Sequence, residues 1–182
     1  SARSEWSGRK YRCIVWDDAG TYLISDVVWL TVDTYGITLS PIAYVNKAIE
    51  IALDDTHGYR NVAGENLLNP DVDCGTFVSF ALSLSGYVPN GFIVEPNDPW
   101  AMINTLSPYG FNAYDYEGRD SLKEGDILIR AGHTEIYIGD GKVVGAHGNG
   151  ATFGSEEPGD QDNEVSVIPF FDGWTYILRY EK

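Results

Sequence analysis

The sequence is poor in the residues that build disulfide and metal frameworks. Two cysteines, Cys13 and Cys74, and three histidines occur among its 182 residues. Two cysteines allow one disulfide at most, and this set of residues falls short of the ligand spacing of a zinc finger or ribbon. A fold stapled by disulfides or structural zinc is therefore excluded, and we expect neither a metal nor another cofactor.

Basic residues are also scarce. The 12 Lys and Arg residues stand against 27 Asp and Glu residues, which gives a formal net charge of −15. Nucleic-acid binding needs a positive field, so it is not expected. No apolar run reaches the ~18–20 residues that span a bilayer, so no membrane association is expected either. At 43% hydrophobic and 13% aromatic, the composition instead indicates a folded chain, which we expect to be monomeric.

The N-terminal residues predict a β-hairpin. Residues 9–16 and 21–32 alternate apolar and polar side chains around the turn signal DDAG. Tyr11-x-Cys13 has the spacing of a tyrosine corner. Residues 1–33 thus resemble the last two strands of a truncated bacterial Ig-like domain, followed by a linker at 34–40. The alternative is a hairpin that belongs to the main domain. Because the strands that should precede this pair are missing, we expect the chain to be part of a longer, exported or phage-encoded protein, with any signal peptide outside the sequence given.

Helical signals dominate the next part of the chain. Ser40-Pro41 predicts a helix start, and the apolar period continues to a helix end near 56–58. Residues 74–85 are apolar nearly all round, which indicates a buried helix that Gly86 terminates. Asp98-Pro99 predicts a third helix that ends at Leu106.

From Gly125 onward the apolar period changes to two. This pattern predicts five strands within 126–180, two of them joined by the tight turn GDG at 139–141. Helices followed by strands predict an α+β domain with an antiparallel sheet over residues 41–182.

Cys74 is the first candidate for chemistry. It lies in the first turn of the buried helix, where the partial positive charge of the helix N-terminus is expected to lower the thiol pKa and favour the nucleophilic thiolate. The alternative is a small buried hydrophobic residue.

His133 begins a predicted strand and could serve as the general base of a Cys–His acyl-transfer pair. A third group would then orient the imidazole. His147 and Asn149 share a face of the next strand, and Glu135 shares the face of His133. We rank His147 first, Asn149 second and Glu135 third. A carboxylate two residues along the same strand is expected to point beside the imidazole rather than behind it.

Two motifs carry a family resemblance. PDVDCGTFVSFAL and GDILIRAGHTEIYIGDGKVVGAH resemble the NlpC/p60 family of papain-like cell-wall cysteine hydrolases. DDTHGYR and PGDQDNEVSV resemble a bacteriophage-endolysin and clostridial branch of that family. The resemblance covers roughly residues 41–182. It implies a papain-like fold, a secreted or phage-encoded enzyme acting outside the cell or in the cell wall, and bacterial peptidoglycan as the partner.

The resemblance also implies roles for individual residues. Cys74 would be the nucleophile and His133 the base, while Tyr59 and the Cys74 backbone N–H would form an oxyanion hole. Asp73 would bind the substrate's amine or amide. Two positions depart from the family pattern. Gly75 stands where Ser is common, and Gly145 stands where the third catalytic residue usually lies.

The function expected from the resemblance is hydrolysis of a peptidoglycan amide by a thiol mechanism. The bond would be the γ-D-glutamyl–diamino-acid link of the stem peptide or the amide between N-acetylmuramic acid and L-alanine. Three alternatives stay open: a catalytically degenerate wall-binding module of the same fold, a metal site made of Cys74, His133 and His147, and a Cys–His transferase or deamidase acting on protein.

Overall fold

The computed structural model describes residues 40–54, 57–60, 71–94, 98–147 and 164–182, together with four short strands between residues 10 and 29. The chain divides into two compact units, Ser1–Leu39 and Ser40–Lys182. Cys13, most of the predicted linker and Asn149 lie outside the described residues.

The described residues of the first unit form four short strands, which pair two by two. They are β1 (Lys10–Tyr11), β2 (Ile14–Trp16), β3 (Tyr22–Ile24) and β4 (Val28–Trp29). Strand β2 pairs antiparallel with β3, and β1 pairs antiparallel with β4. The predicted antiparallel hairpin is confirmed, and its Ig-like origin stays a prediction.

Three α-helices in the described part of the second unit precede the sheet. The helices are α1 (Ala43–Ala52), α2 (Cys74–Leu84) and α3 (Pro99–Leu106). Within the described part of the chain, none of the helices has the length and hydrophobicity to cross a membrane.

Helix α2 has well-defined ends. Asp73 caps its N-terminus: its carboxylate accepts from the Thr76 N–H at 2.7 Å, and the Asp73 N–H donates to the Thr76 hydroxyl at 2.7 Å. At the other end Gly86 has a φ of +78°, and the Tyr87 N–H donates to the Leu82 carbonyl at 2.9 Å. The predicted buried helix is therefore confirmed together with its glycine stop.

Helix α1 differs from its prediction at both ends. Ser40 does not cap the helix, because its hydroxyl accepts from the Ile42 N–H at 3.0 Å and its own N–H donates to the Asn46 side chain at 2.8 Å. These bonds close a bend before the helix, so the first helical turn starts at Ala43. The helix ends at Ala52 rather than near residues 56–58.

The described strands of the sheet are β5 (Phe111–Asp115), β6 (Ile127–Arg130), β7 (His133–Tyr137), β8 (Lys142–Ala146), β9 (Val165–Pro169) and β10 (Tyr176–Tyr180). These six strands are antiparallel, in the order β5-β10-β6-β7-β8-β9. The predicted α+β class and antiparallel sheet are confirmed. Strand β5 was missed because four of its five residues are exposed and show no alternation.

The two faces of the sheet have different neighbours. Helix α2 packs on β7 and β8, and α1 packs on β8 and β9. A separate apolar cluster contains Leu128, Tyr137 and Val143 with Trp174, which comes from the segment before β10. Side chains alternate along a strand, so His133 and Glu135 share the face of Tyr137 and lie on the Trp174 side. The candidate site therefore lies at the start of β7, between helix α2 and the Trp174 cluster.

Candidate active site

The Cys74 sulfur lies against the backbone on both sides of His133. Cys74 is the first residue of α2 and is 3% exposed. Its thiol donates to the Gly132 carbonyl oxygen at 3.9 Å, and the Thr134 backbone N–H donates to the sulfur. Among the described residues, β7 pairs with β8 at Ile136 and Tyr137 but not nearer its start. Within the described part of the chain, the edge of β7 that faces β8 is thus unpaired at its start, and the N-terminus of α2 lies against it.

The thiol has a raised pKa in this position. Burial raises the pKa of Cys74 to about 12, with a further contribution from the charge of Asp73. Hydrogen bonds from the backbone N–H groups of Thr134, Gly75 and Cys74 lower the pKa, but by less. The expectation that the helix N-terminus depresses the thiol pKa is therefore wrong, because desolvation of the charged sulfur outweighs it. The resting thiol is protonated at neutral pH and needs a base.

His133 is fixed by a carboxylate and by aromatic rings. Its Nε2 lies 2.7 Å from Glu135 Oε1. Its ring stacks on Trp174, with centroids 5.7 Å apart and planes at 22°, and more distantly on Phe171. Because a carboxylate accepts, Nε2 carries the proton, and in the neutral imidazole Nδ1 holds the lone pair. Nδ1 has no hydrogen bond to any residue that the structure describes, and no hydrogen bond joins Cys74 to His133.

His147 faces the same carboxylate oxygen from β8's end. Its Nδ1 lies 2.8 Å from Glu135 Oε1, and its Nε2 lies 3.0 Å from the Ser166 carbonyl oxygen. Both partners accept, so both imidazole nitrogens donate and the ring is positively charged. Burial lowers the pKa of His147, but the hydrogen bond and charge of Glu135 and the Ser166 carbonyl together raise it above its ordinary value.

Glu135 is the centre of this cluster. Its side chain is fully buried. Burial raises the pKa of Glu135, but hydrogen bonds and charge from His133 and His147 outweigh burial and leave the pKa below its ordinary value. Its Oε1 accepts from both imidazoles, while Oε2 is buried without a hydrogen-bond partner among the described residues.

Gly145 makes room for the carboxylate. A Cβ atom at this position would lie 2.8 Å from Glu135 Cγ, closer than real side chains approach. The Glu135 side chain therefore occupies the space beside His133 that a larger residue at position 145 would fill.

The structure changes the ranking of the third residue. The hydrogen-bond partner of His133 is Glu135, which the sequence placed last, and His147 reaches His133 through Glu135 rather than directly. The argument that Glu135 points beside the imidazole is wrong, because the gap over Gly145 lets the side chain fold back toward the start of β7. The signal for this in the sequence was a His and a Glu on one strand face, opposite a glycine.

Tyr59 lies on a segment that pairs with the residues leading into Cys74. It forms a parallel bridge with Val72, and the Arg60 N–H donates to the Val72 carbonyl at 3.0 Å. The Tyr59 backbone N–H donates to Glu164 Oε2 at 3.0 Å, and the Glu164 carbonyl accepts from the His147 N–H at 2.7 Å. The acidic run that contains Glu164 predicts a solvated loop, but Glu164 itself is buried. It connects the Tyr59 segment to the His147 end of β8.

Asp73 has a structural task, since its carboxylate caps α2. Its predicted role in binding a substrate amine stays a prediction.

Three side chains of the cluster could hold a metal ion. The ligand atoms of His133, Glu135 and His147 lie within 4.8 Å of one another. The predicted metal site consisted of Cys74, His133 and His147, whereas the group in the structure contains Glu135 in place of Cys74. Two imidazoles and a carboxylate suit divalent transition metals, and the unpartnered Glu135 oxygen could serve as a further ligand atom.

In comparisons with known proteins, no protein-family model and no curated sequence matches the chain. The roles of these residues therefore rest on their chemistry and geometry and on the motif resemblance.

The buried ion pair of Glu135 and His147 predicts that the stability lost in Glu135→Gln depends on pH. The lowered pKa of Glu135 stabilises the fold at pH values above 4.5, the ordinary pKa of a glutamate. The raised pKa of His147 stabilises the fold at pH values below 6.5, the ordinary pKa of a histidine. Glu135→Gln should therefore cost most between these values, about 1–3 kcal/mol of unfolding free energy. The cost should shrink as pH rises through the raised His147 pKa and as pH falls through the lowered Glu135 pKa.

Urea unfolding of the wild type and Glu135→Gln from pH 4 to pH 9 measures this difference. The exposed Glu50→Gln is the matched control and should cost little at any pH. A cost for Glu135→Gln that does not vary with pH would contradict the ion pair.

The close approach of Gly145 predicts a coupled pair. Gly145→Ala should destabilise the wild type by about 1–3 kcal/mol, because the new methyl group meets Glu135 Cγ. In a Glu135→Ala background the same change should cost much less, since the obstructing side chain is gone. A double-mutant cycle on unfolding free energies tests this, and equal costs in both backgrounds would refute it.

Proposed function

We propose that the second unit is a papain-like cysteine hydrolase of the NlpC/p60 type that cleaves an amide bond of bacterial peptidoglycan. The observation that carries the proposal is the buried Glu135 carboxylate on His133 Nε2, with the Cys74 thiol at a helix N-terminus against the flanking backbone. Nucleophilic amide hydrolysis requires an imidazole within reach of a thiol, and the Cys74 thiol lies against the backbone on both sides of His133. The Cys and His motifs support the cell-wall substrate.

The first half of the reaction transfers an acyl group to the sulfur. The thiol turns from Gly132 toward His133, whose Nδ1 accepts the proton as the sulfur attacks the amide carbonyl. The Cys74 backbone N–H and Tyr59 would stabilise the oxyanion. His133 then gives its proton to the leaving amine, and the C–N bond breaks to leave a thioester.

The second half returns the enzyme to its starting state. His133 takes a proton from water, which attacks the thioester, and the thiol leaves with that proton while the product leaves as a carboxylic acid. In both halves the imidazole becomes positively charged, and the Glu135 carboxylate stabilises that charge and fixes the ring. His147 supports the ionised form of Glu135 through its own positive charge. The raised thiol pKa fits a mechanism in which deprotonation accompanies attack.

The cellular setting follows from the same proposal. An enzyme of this type acts outside the cell or in the wall, and an Ig-like module before it would serve as a spacer or wall-binding arm. The alternative is a degenerate module of the same fold that binds peptidoglycan without cleaving it.

Turbidity loss of purified walls distinguishes these two functions. Cys74→Ala should abolish lysis, and His133→Ala should slow it by about 10²–10⁴-fold, because the nucleophile and base are lost. Cys13→Ala is the matched control and should lyse walls at the wild-type rate. Walls that bind both the wild type and Cys74→Ala but lose turbidity with neither would establish the degenerate module.

Metal binding is a second candidate function, favoured by the buried Glu135 Oε2, which accepts no hydrogen bond from any described residue. If the cluster holds a metal, purified protein should contain about one equivalent of a divalent transition metal, and Glu135→Gln should lose it. Elemental analysis of the two proteins decides this. Metal-free protein that lyses walls fully in the presence of chelator would exclude a metal in catalysis.

A further inference from the structure

Arg130 lies beside the candidate base. It ends β6 and pairs with His133 across a tight turn at Ala131 and Gly132. Residues directly opposite in an antiparallel pair point to the same face, with Cβ atoms about 4.5–5.5 Å apart. The guanidinium and the imidazole therefore belong to one surface of the sheet.

The same two aromatic rings hold both side chains. The Arg130 guanidinium carbon lies 5.2 Å from the Trp174 ring centroid and 5.3 Å from that of Phe171. These are also the rings on which His133 stacks. The Trp174 indole N–H donates to the Phe171 carbonyl at 2.7 Å, which fixes the pair of rings. Arg130 is thus a positioned cation rather than a freely moving surface chain.

Arg130 has no acidic partner among the residues that the structure describes, although the sequence has an excess of acids. Its guanidinium makes neither an ion pair nor a hydrogen bond with any residue in the described part of the chain, and its side chain is half-buried. Arg179, by contrast, donates two hydrogen bonds to Asp126, at 2.8 and 2.7 Å. A guanidinium presents its donors in a planar fork that matches a carboxylate. Arg130 therefore has its donors available for an external anion next to His133.

We propose that Arg130 binds a carboxylate of the substrate that flanks the scissile amide. The inference rests on the proposed function, because the substrate amide must lie between Cys74 and His133. It also distinguishes the two candidate bonds. In the γ-D-glutamyl link the glutamate keeps a free α-carboxylate close to the scissile carbonyl, whereas L-alanine bonded to N-acetylmuramic acid has its carboxyl group in the next amide. Arg130 favours the first bond.

A matched pair of synthetic stem peptides tests the assignment. Both contain the γ-D-glutamyl–diamino-acid bond, and they differ only in a free or an amidated glutamate α-carboxyl group. The wild type should cleave the free acid with a kcat/KM about 10- to 100-fold higher. Arg130→Gln should lose this preference because its kcat/KM falls for the free-acid peptide and stays the same for the amidated peptide. Arg130→Lys should retain part of the preference, because an ammonium keeps the charge but not the fork.

Arg119→Gln is the matched control. Arg119 is an exposed cation that lies 6.0 Å from the Phe170 ring centroid, away from His133, so the preference should stay at the wild-type value. Wall lysis without a preference for the free acid, or a preference that survives Arg130→Gln, would overturn the role of Arg130 and leave the proposed function standing.

Binding measurements keep the inference testable without turnover. Calorimetric titration of the Cys74→Ala protein with each peptide should show tighter binding of the free acid, and Arg130→Gln in that background should remove the difference. If the wild type neither lyses walls nor cleaves either peptide, the proposed hydrolase fails, and equal binding of the two peptides then overturns the Arg130 site as well.

Discussion

One buried carboxylate controls the geometry of the candidate site. A charged Glu135 without solvent contact requires donors, and it obtains two from His133 and His147. This requirement fixes which His133 nitrogen carries the proton, keeps His147 charged and leaves position 145 without a side chain. If Glu135 were replaced by an apolar residue, His133 would keep its stacking on Trp174 and His147 its bond to the Ser166 carbonyl. No acceptor among the described residues would then fix which His133 nitrogen carries the proton.

Burial and reactivity oppose each other at Cys74. The helix N-terminus and the start of β7 supply N–H donors that favour a thiolate, yet the close packing that brings these donors together also removes water from the sulfur. The result is a resting thiol that keeps its proton at neutral pH and gives it up only to a base. In the proposed reaction, a charged Glu135 would stabilise the imidazolium that forms during attack.

Much of the fold could be predicted because local signals and tertiary packing agree. Helix α2 has a capping aspartate, an apolar surface all round and a glycine stop, and α3 has Asp98-Pro99 at its start. Strands β6 to β8 alternate and are joined by tight turns. The predicted start of α1 was wrong: Ser40 was expected to cap the helix, but it bonds to the Asn46 side chain and lies in a bend before the helix. Strand β5 was missed because its mostly exposed side chains show no apolar alternation.

Local patterns in the chain specify which reactive groups are present and where they lie: a cysteine at a helix start and a histidine at a strand start, in a chain with few basic residues. Which of these groups meet depends on the folded arrangement. Register across β7 and β8 places Gly145 over Glu135, and a loop distant in sequence brings Trp174 against His133 and Arg130. The reason is physical: periodicity specifies the face of a strand, whereas hydrogen-bond partners and desolvation depend on neighbours that the chain supplies from elsewhere.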